Sequence, residues 1–313
     1  MRAFRVALNR GFEYREQVGA RCVGPRVSVL DYLAEKYRHS TKEEWRARLE
    51  SGRVEVDGLR ARAESFLKRG QWLVWRRPPW EEPEVPLGWA VLYEDPDLLA
   101  VAKPSGLPSL PGGGFLEHTL LALVRGRYPG AAPVHRLGRG TSGVVLFALS
   151  TRAGAALSQA MRRREIAKTY RALASGVPVL DRFTMETPIG LVPHPVLGAL
   201  HAASPSGRPA LSRAVLLESR DGASLLEVRI ETGRPHQIRI HLAAAGHPLL
   251  GDPLYRAGGG FRAAGSALPG DTGYLLHAER LCLNHPVTGA PLELWCPPPP
   301  GLRLRNEETP DAL

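Results

Sequence analysis

Five short strand-like segments follow one another after Trp89. One longer helix-like segment lies between the third and the fourth of them, and a second follows the fifth. The most apolar strand, VVLFAL at residues 144–149, is a continuous hydrophobic run of the kind that is buried on both faces of a sheet. The helix-like segments occupy residues 151–165 and 235–246, so strands and helices do not alternate one by one. This order predicts an α+β fold with a central, mainly antiparallel sheet.

A smaller module is expected ahead of that sheet, in residues 1–85. Apolar residues at helical spacing predict a helix over residues 26–38 with Ser28 as its N-cap, followed by a second helix. Two strands should come next, the first of them ending in the turn pair Asp57-Gly58. Two helices and a strand–turn–strand unit are the composition expected of a compact α+β module.

The remaining boundaries follow from proline content and polarity. The segment PPWEEPEVP at residues 78–86 breaks regular structure and is typical of a linker. Residues 86–300 are long enough for one catalytic-size domain. The polar residues 301–313, which follow a run of four prolines, are predicted to be a disordered tail.

Positive charge is concentrated in one part of the chain. The formal net charge is +10, and residues 125–171 contain ten Lys or Arg against the single acid Glu165. Such a cluster is typical of a surface that binds a polyanion, most often a nucleic acid. The alternative is a solvated basic face without a partner, but the cluster surrounds the loop described next, which favours the nucleic acid.

The composition also limits where the protein acts. No run of about 18 apolar residues is present, so we expect no membrane association. The three cysteines, Cys22, Cys282 and Cys296, are widely spaced and fit neither a disulfide framework nor a zinc site. A reducing cytoplasm is therefore the expected compartment.

The loop before the apolar strand is rich in glycine and arginine. In PVHRLGRGTSG at residues 133–143, small residues permit close approach of a ligand, and Arg136 and Arg139 can meet phosphates or stack on bases. A second polar group occurs in residues 231–255, where Arg234, His236, Gln237, Arg239 and His241 accompany apolar neighbours. Because His236 and His241 are five residues apart, they lie on different helix faces, and a metal site is not expected.

These segments resemble the motifs of the RluA-type pseudouridine synthase family. The family's His-Arg-Leu-Asp and Thr-Ser-Gly are similar to residues 135–138 and 141–143. The resemblance runs from about Trp89 to Pro298, and its other matching segments, in chain order, are residues 100–112, 168–172, 233–239, 251–255, 276–278 and 285–289. The N-terminal module resembles the small α-L RNA-binding domain, through Leu30–Leu33 and the segment GRVEVDG.

The resemblance implies a pseudouridine synthase fold and the conversion of uridine to pseudouridine in ribosomal or transfer RNA, without a metal or organic cofactor. It implies that Arg136 fills the space left by a flipped base, that Tyr170 stacks under the uracil, and that Arg239 pairs with the catalytic carboxylate. We expect a monomer whose RNA contacts come from His135, Arg136, Arg139, Thr141, Ser142, Lys168, Arg234, His236 and Gln237.

Gly138 occupies the position of the family's catalytic aspartate, and a glycine can neither attack nor accept a proton. One interpretation is an active synthase whose carboxylate comes from elsewhere, with Asp252, Glu165 and Glu231 as candidates. A second is an inactive RNA-binding protein in which Arg239, without its partner, holds a phosphate. A third is a different reaction in the same cleft, to which nothing in the sequence points.

Overall fold

The computed structural model describes residues 8–19, 27–194, 197–262 and 267–307 of the chain. The chain divides into two compact units, Met1–Glu82 and Pro83–Leu313. The division falls inside the proline-rich segment at residues 78–86, three residues before the end of the predicted module.

In its described residues, the first unit packs two α-helices on a four-stranded antiparallel sheet. Its elements are β1 (Phe12–Gln17), α1 (Val29–Lys36), α2 (Lys42–Glu50), β2 (Val54–Val56), β3 (Leu59–Arg60) and β4 (Trp72–Arg77), and the strand order is β1-β4-β2-β3. Ser28 caps α1 by accepting from the backbone N–H of Asp31, as predicted, although Arg26 lies outside the described residues. Asp57 and Gly58 both have positive φ, which the tight turn between β2 and β3 requires.

The second unit is built on one large, mainly antiparallel sheet, which confirms the predicted fold class. Its main path runs β10-β13-β14-β9-β15-β8-β6-β5, with β16 paired to β15 and β7 paired to β8. The strands are β5 (Ala90–Glu94), β6 (Leu98–Lys103), β7 (Ala132–Pro133), β8 (Ser142–Ala148), β9 (Ala167–Ser175), β10 (Arg182–Met185), β13 (Ser212–Arg220), β14 (Ala223–Ile230), β15 (Leu276–Asn284) and β16 (Pro291–Trp295). The parallel pairing of β15 with β8 joins the two antiparallel halves.

The described part of this unit also contains three α-helices and a separate hairpin: α3 (Leu120–Arg127), α4 (Thr151–Arg163), α5 (Gln237–Ala244), β11 (Ile189–His194) and β12 (Gly198–Ala203). Ser150 caps α4, which buries Ala153 and Leu157 and ends in basic residues where the helix dipole favours them. Helix α5 is buried at every position from Gln237 to Ala243, because the sheet lies on one side of it and the β11–β12 hairpin on the other.

The segment after the proline run is ordered as far as Glu307. A short 3-10 helix, Pro300–Leu302, buries the Leu302 side chain to 1% exposure. Arg171 on β9 donates to the Leu302 carbonyl oxygen at 3.3 Å and forms an ion pair with Glu307 at 2.5 Å. The prediction of a disordered tail is therefore wrong for residues 301–307, and residues 308–313 lie outside the described part of the chain.

Among the described helices, none combines the length and the apolar character that crossing a membrane would require.

Candidate functional site

One cleft in the second unit, with a volume of about 640 Å³, collects most of the predicted site residues. The 135–139 loop that precedes β8 forms one wall, β9 contributes Lys168 and Tyr170, and the turn before α5 contributes residues 233–236. Residues 108–112, Met161, Ile230, Pro269 and Gly270 complete the lining. Motifs that are far apart in the chain therefore meet at one surface.

A buried lysine, Lys103, donates a hydrogen bond to the 135–139 loop and helps to fix its backbone. The ammonium group of Lys103 donates to the carbonyl oxygens of Leu107 (2.7 Å), Pro104 (2.9 Å) and Arg139 (3.2 Å). Burial lowers the pKa of Lys103 to about 7, and the three acceptors satisfy its donors. The hydroxyl of Ser109 also accepts from the Leu137 N–H and donates to the Leu137 carbonyl oxygen. These bonds pre-organise the loop before any ligand binds.

The cleft is strongly positive. Arg136 is exposed, Arg139, Lys168 and Arg234 are partly buried, and all four line it. No Asp or Glu belongs to the described residues that line the cleft. A site with four cations and no carboxylate suits the phosphates of a polyanion.

Tyr170 lies on β9 with 7% of its side chain exposed. Burial raises the pKa of its hydroxyl to about 12, so the ring is a neutral phenol at physiological pH. A fixed aromatic ring in the wall of a positive cleft can stack on a nucleobase.

Both cleft histidines are neutral. His135 Nε2 accepts from the N–H of Leu146 at 3.1 Å, and burial together with the charge of Lys168 lowers its pKa to about 4. The Tyr255 hydroxyl donates to the His201 carbonyl oxygen, so His236 Nδ1 donates to the Tyr255 oxygen at 2.7 Å. Burial, with Arg239 nearby, lowers the pKa of His236 to about 3. Neither ring adds charge to the cleft at neutral pH.

Arg239 is not free to hold a phosphate. Its side chain is buried and makes a bidentate ion pair with Asp252, through Nε at 2.7 Å and Nη2 at 2.8 Å. The hypothesis of an unpartnered Arg239 is therefore wrong. Arg239 lies behind the cleft wall, where its Nη1 donates to the carbonyl oxygen of Pro269 at 3.2 Å.

None of the three candidate carboxylates reaches the cleft. Asp252 is saturated, because its Oδ1 also accepts from the N–H groups of Leu254 and Tyr255. Glu231 forms an ion pair with Arg213 at the surface, and Glu165 is exposed beside Arg163. Asp252 is thus a structural residue, and the other two line no part of the site.

Three residues predicted to bind RNA have other partners in the structure and need correction. Gln237 is buried and bonds to Thr232, Arg234, Leu211 and Ser212, so all its amide capacity serves to join α5 to β13. The Ser142 hydroxyl bonds to His277 Nδ1 at 2.9 Å. Thr141 is buried, with its hydroxyl 3.3 Å from that of Tyr274. None of the three lines the cleft.

Tyr274 is the residue that sequence reasoning missed. Its side chain is 4% exposed, and the Arg239 guanidinium lies over its ring at 4.2 Å from the centroid. A Cβ atom added at Gly138 would lie 3.0 Å from the Tyr274 hydroxyl oxygen. The tyrosine is remote from Gly138 in the chain and lies in no recognised motif, so no sequence signal could have linked the two.

Within the described residues, no group of three or more His, Cys, Asp or Glu is arranged to hold a metal ion. The chemistry available in the cleft comes from cations, neutral imidazoles and phenols.

Comparison with known proteins gives a consistent result. The profile of the family described as RNA pseudouridylate synthase matches residues 97–244. An uncharacterized RNA pseudouridine synthase of Synechocystis is 44% identical over 88% of this chain and 95% of its own length, and RNA pseudouridine synthase 5 of Arabidopsis thaliana is 37% identical over 96% of both chains. The solved structure of human RNA pseudouridylate synthase domain containing 1 is 27% identical, with a TM-score of 0.56 over 71% of this chain and 89% of that one.

Proposed function

We infer that this chain, which belongs to the RNA pseudouridylate synthase family, converts uridine in RNA to pseudouridine. The observation that carries this conclusion is the cleft, where the 135–139 loop, Tyr170 and four cations meet. In the reaction the glycosidic C–N bond breaks, the uracil turns, and it rejoins the ribose through carbon 5. The isomerisation needs no net oxidant or reductant.

The cleft suits a nucleotide that has left the base stack. New contacts must offset the free energy that is lost when the base unstacks, and Tyr170 offers a stacking surface for the flipped base. Arg136 is exposed at the cleft and can enter the space that the base vacates. Arg139, Lys168 and Arg234 can neutralise the flanking phosphates.

The alternative of an inactive RNA-binding protein is not favoured. The relatives that match over nearly the whole chain carry the name of synthases. Tyr170 in the cleft wall also offers a stacking surface for a base, which phosphate contacts alone would not require.

We further propose that the substrate is structured ribosomal or transfer RNA, that the protein acts as a cytoplasmic monomer, and that the first unit adds RNA affinity. The two described cysteines, Cys282 and Cys296, are free thiols, which fits a reducing compartment. In the first unit, Phe12, Tyr14 and Trp72 are exposed aromatics, and the guanidinium of Arg15 lies 4.9 Å from the Trp72 ring.

Tritium release tests the function directly. Unmodified ribosomal and transfer RNA transcripts labelled with tritium at carbon 5 of uridine should release the label when the purified protein is added. Tyr170→Ala should bind RNA but release tritium about tenfold to a hundredfold more slowly, because the base loses its stacking surface. If neither RNA released label, while a known synthase did so in the same assay, the proposed function would be rejected.

RNA binding should weaken steeply with salt. If each of the four cations contacts one phosphate, the affinity should fall roughly a hundredfold between 50 and 200 mM salt, because counterions are released on binding. Arg136→Gln should reduce the slope of log K against log salt concentration by about one. Arg182→Gln, on β10 at the sheet edge, is the matched control and should leave the slope unchanged. Binding that is insensitive to salt would contradict the phosphate contacts.

A further inference from the structure

We propose that the Tyr274 hydroxyl performs in this protein the step that other family members assign to a carboxylate at position 138. The proposal rests on the synthase function, and it names the group that replaces the carboxylate missing at Gly138. It assigns a catalytic group that is not a carboxylic acid and is not part of a recognised motif.

Two glycines, Gly138 and Gly140, lie against the Tyr274 side chain. A Cβ atom at Gly138 would lie 3.0 Å from the Tyr274 hydroxyl oxygen, and one at Gly140 would lie 2.9 Å from Cζ of the same ring. Neither glycine has positive φ, so the backbone conformation does not demand glycine at either position. A side chain at either position would instead crowd the Tyr274 side chain. The Tyr274 side chain occupies the space that side chains at positions 138 and 140 would need.

The Tyr274 hydroxyl has a cationic and a polar neighbour. The guanidinium of Arg239 lies over the Tyr274 ring, 4.2 Å from its centroid, and the bidentate pair with Asp252 fixes it there. The Thr141 hydroxyl, 3.3 Å away, is a hydrogen-bond partner for the Tyr274 oxygen. The guanidinium over the ring, whose positive charge Asp252 offsets in part, lies where it can stabilise negative charge that develops on the phenol oxygen during a reaction.

Gly138 is exposed in the cleft, whereas Tyr274 is 4% exposed and lies, with Gly140, on the wall of a second cavity of about 610 Å³. The loop at Gly138 therefore separates the cleft from the Tyr274 hydroxyl, with no side chain at position 138 between them. Pro269, whose carbonyl oxygen accepts from Arg239, lines the same cleft. The proposed step requires carbon 1′ of a ribose seated on Gly138 to reach the Tyr274 oxygen through the room that the absent side chain at position 138 leaves.

The step balances without a co-reactant. The Tyr274 oxygen bonds to carbon 1′, the bond from carbon 1′ to uracil N1 breaks, and the phenol proton passes to N1. After the uracil has turned, carbon 5 bonds to carbon 1′ and the bond from carbon 1′ to the tyrosine oxygen breaks. The proton lost from carbon 5 restores the phenol. The net change is the isomerisation alone.

Tyr274→Phe is the decisive variant, because it removes one oxygen atom and keeps the ring between the glycines. We expect tritium release to fall at least about a thousandfold, with unchanged RNA affinity and an unchanged unfolding midpoint. Tyr128→Phe, which removes a hydroxyl bonded to Glu94 away from the cleft, is the matched control and should keep full activity. Tyr274→Phe with activity within about threefold of the unchanged protein would overturn the proposal.

A rescue experiment separates a catalytic from a structural role. Gly138→Asp alone places a side chain against the Tyr274 oxygen and should lower activity. In Gly138→Asp/Tyr274→Phe the oxygen is gone and the carboxylate can take its place, so release should recover at least about tenfold over Tyr274→Phe. A double variant no more active than Tyr274→Phe would overturn the equivalence of the two groups.

If Tyr274→Phe does not fold, 3-fluorotyrosine at position 274 gives the test instead, since fluorine acidifies a phenol with little change in size. The acidic limb of the rate–pH profile should move to lower pH, and an unmoved profile would overturn the proposal. Failure of the synthase function is distinguishable from both results, because the unchanged protein would then release no tritium.

Discussion

Asp252→Asn should lower the free energy of unfolding by about 3–5 kcal/mol, because it leaves the buried Arg239 guanidinium without a negative partner. Both side chains are almost fully buried, and Asp252 is the carboxylate that Arg239 pairs with. The asparagine can still accept from the N–H groups of Leu254 and Tyr255, so the change isolates the charge. Urea unfolding at neutral pH measures the effect.

Two further variants serve as controls for the Asp252→Asn result. Glu231→Gln breaks the solvent-exposed pair with Arg213 and should cost only about 0–1 kcal/mol. Asp252→Leu/Arg239→Met replaces the buried pair by apolar groups and should be more stable than Asp252→Asn. An unfolding midpoint for Asp252→Asn equal to that of the unchanged protein would refute the buried pair.

Between pH 7 and pH 5 the protein should lose several kcal/mol of stability. Burial lowers the pKa values of His135, His236 and His277 to about 4, 3 and 4. An unfolded chain protonates histidine near pH 6.5, so below that pH the unfolded state binds more protons than the native state. The free energy of unfolding therefore falls as the pH falls, by about 1–2 kcal/mol for each histidine at pH 5.

Urea midpoints at pH 7 and pH 5 check this dependence. His277 is the best residue to vary, since it accepts from Ser142 and donates to the Cys296 carbonyl oxygen, away from the lining of the cleft. His277→Gln should have a lower free energy of unfolding at pH 7. Between pH 7 and pH 5 it should lose about a third less of that free energy, because one of the three histidines with a lowered pKa is gone. Equal midpoints at the two pH values would contradict the neutral histidines.

Local patterns in the sequence were sufficient to predict much of the fold. The capped helices α1 and α4, the turn at Asp57-Gly58 and the strands β6, β8 and β14 all follow from apolar spacing and cap or turn residues near one another in the chain. Strand β1 was missed because its FEYREQ sequence is largely exposed and polar. The β11–β12 hairpin was missed because Pro and Gly interrupt its alternation.

The site was predictable only in part, for a physical reason. The 135–139 loop, Lys168, Tyr170, Arg234 and His236 carry polar groups beside apolar runs, and they do converge in the cleft. Whether a polar side chain on α5 points into the cleft or into the core depends on long-range packing. Gln237 bonds to Ser212 and Tyr274 packs against Gly138, and neither contact leaves a periodic trace in the sequence.

The position of β15 makes the order of synthesis matter. Strands β5, β6 and β8 form one half of the sheet and β9, β14, β13 and β10 the other, and in the described chain only β15 pairs with both halves. The 135–139 loop belongs to the first half and Tyr170 to the second. During synthesis on a ribosome, the two halves of the sheet cannot pair through β15 until residues 276–284 have emerged. Pairing between strands that are far apart in the chain slows folding. A nascent chain therefore cannot grip RNA with an assembled cleft before nearly all of the second unit has been made.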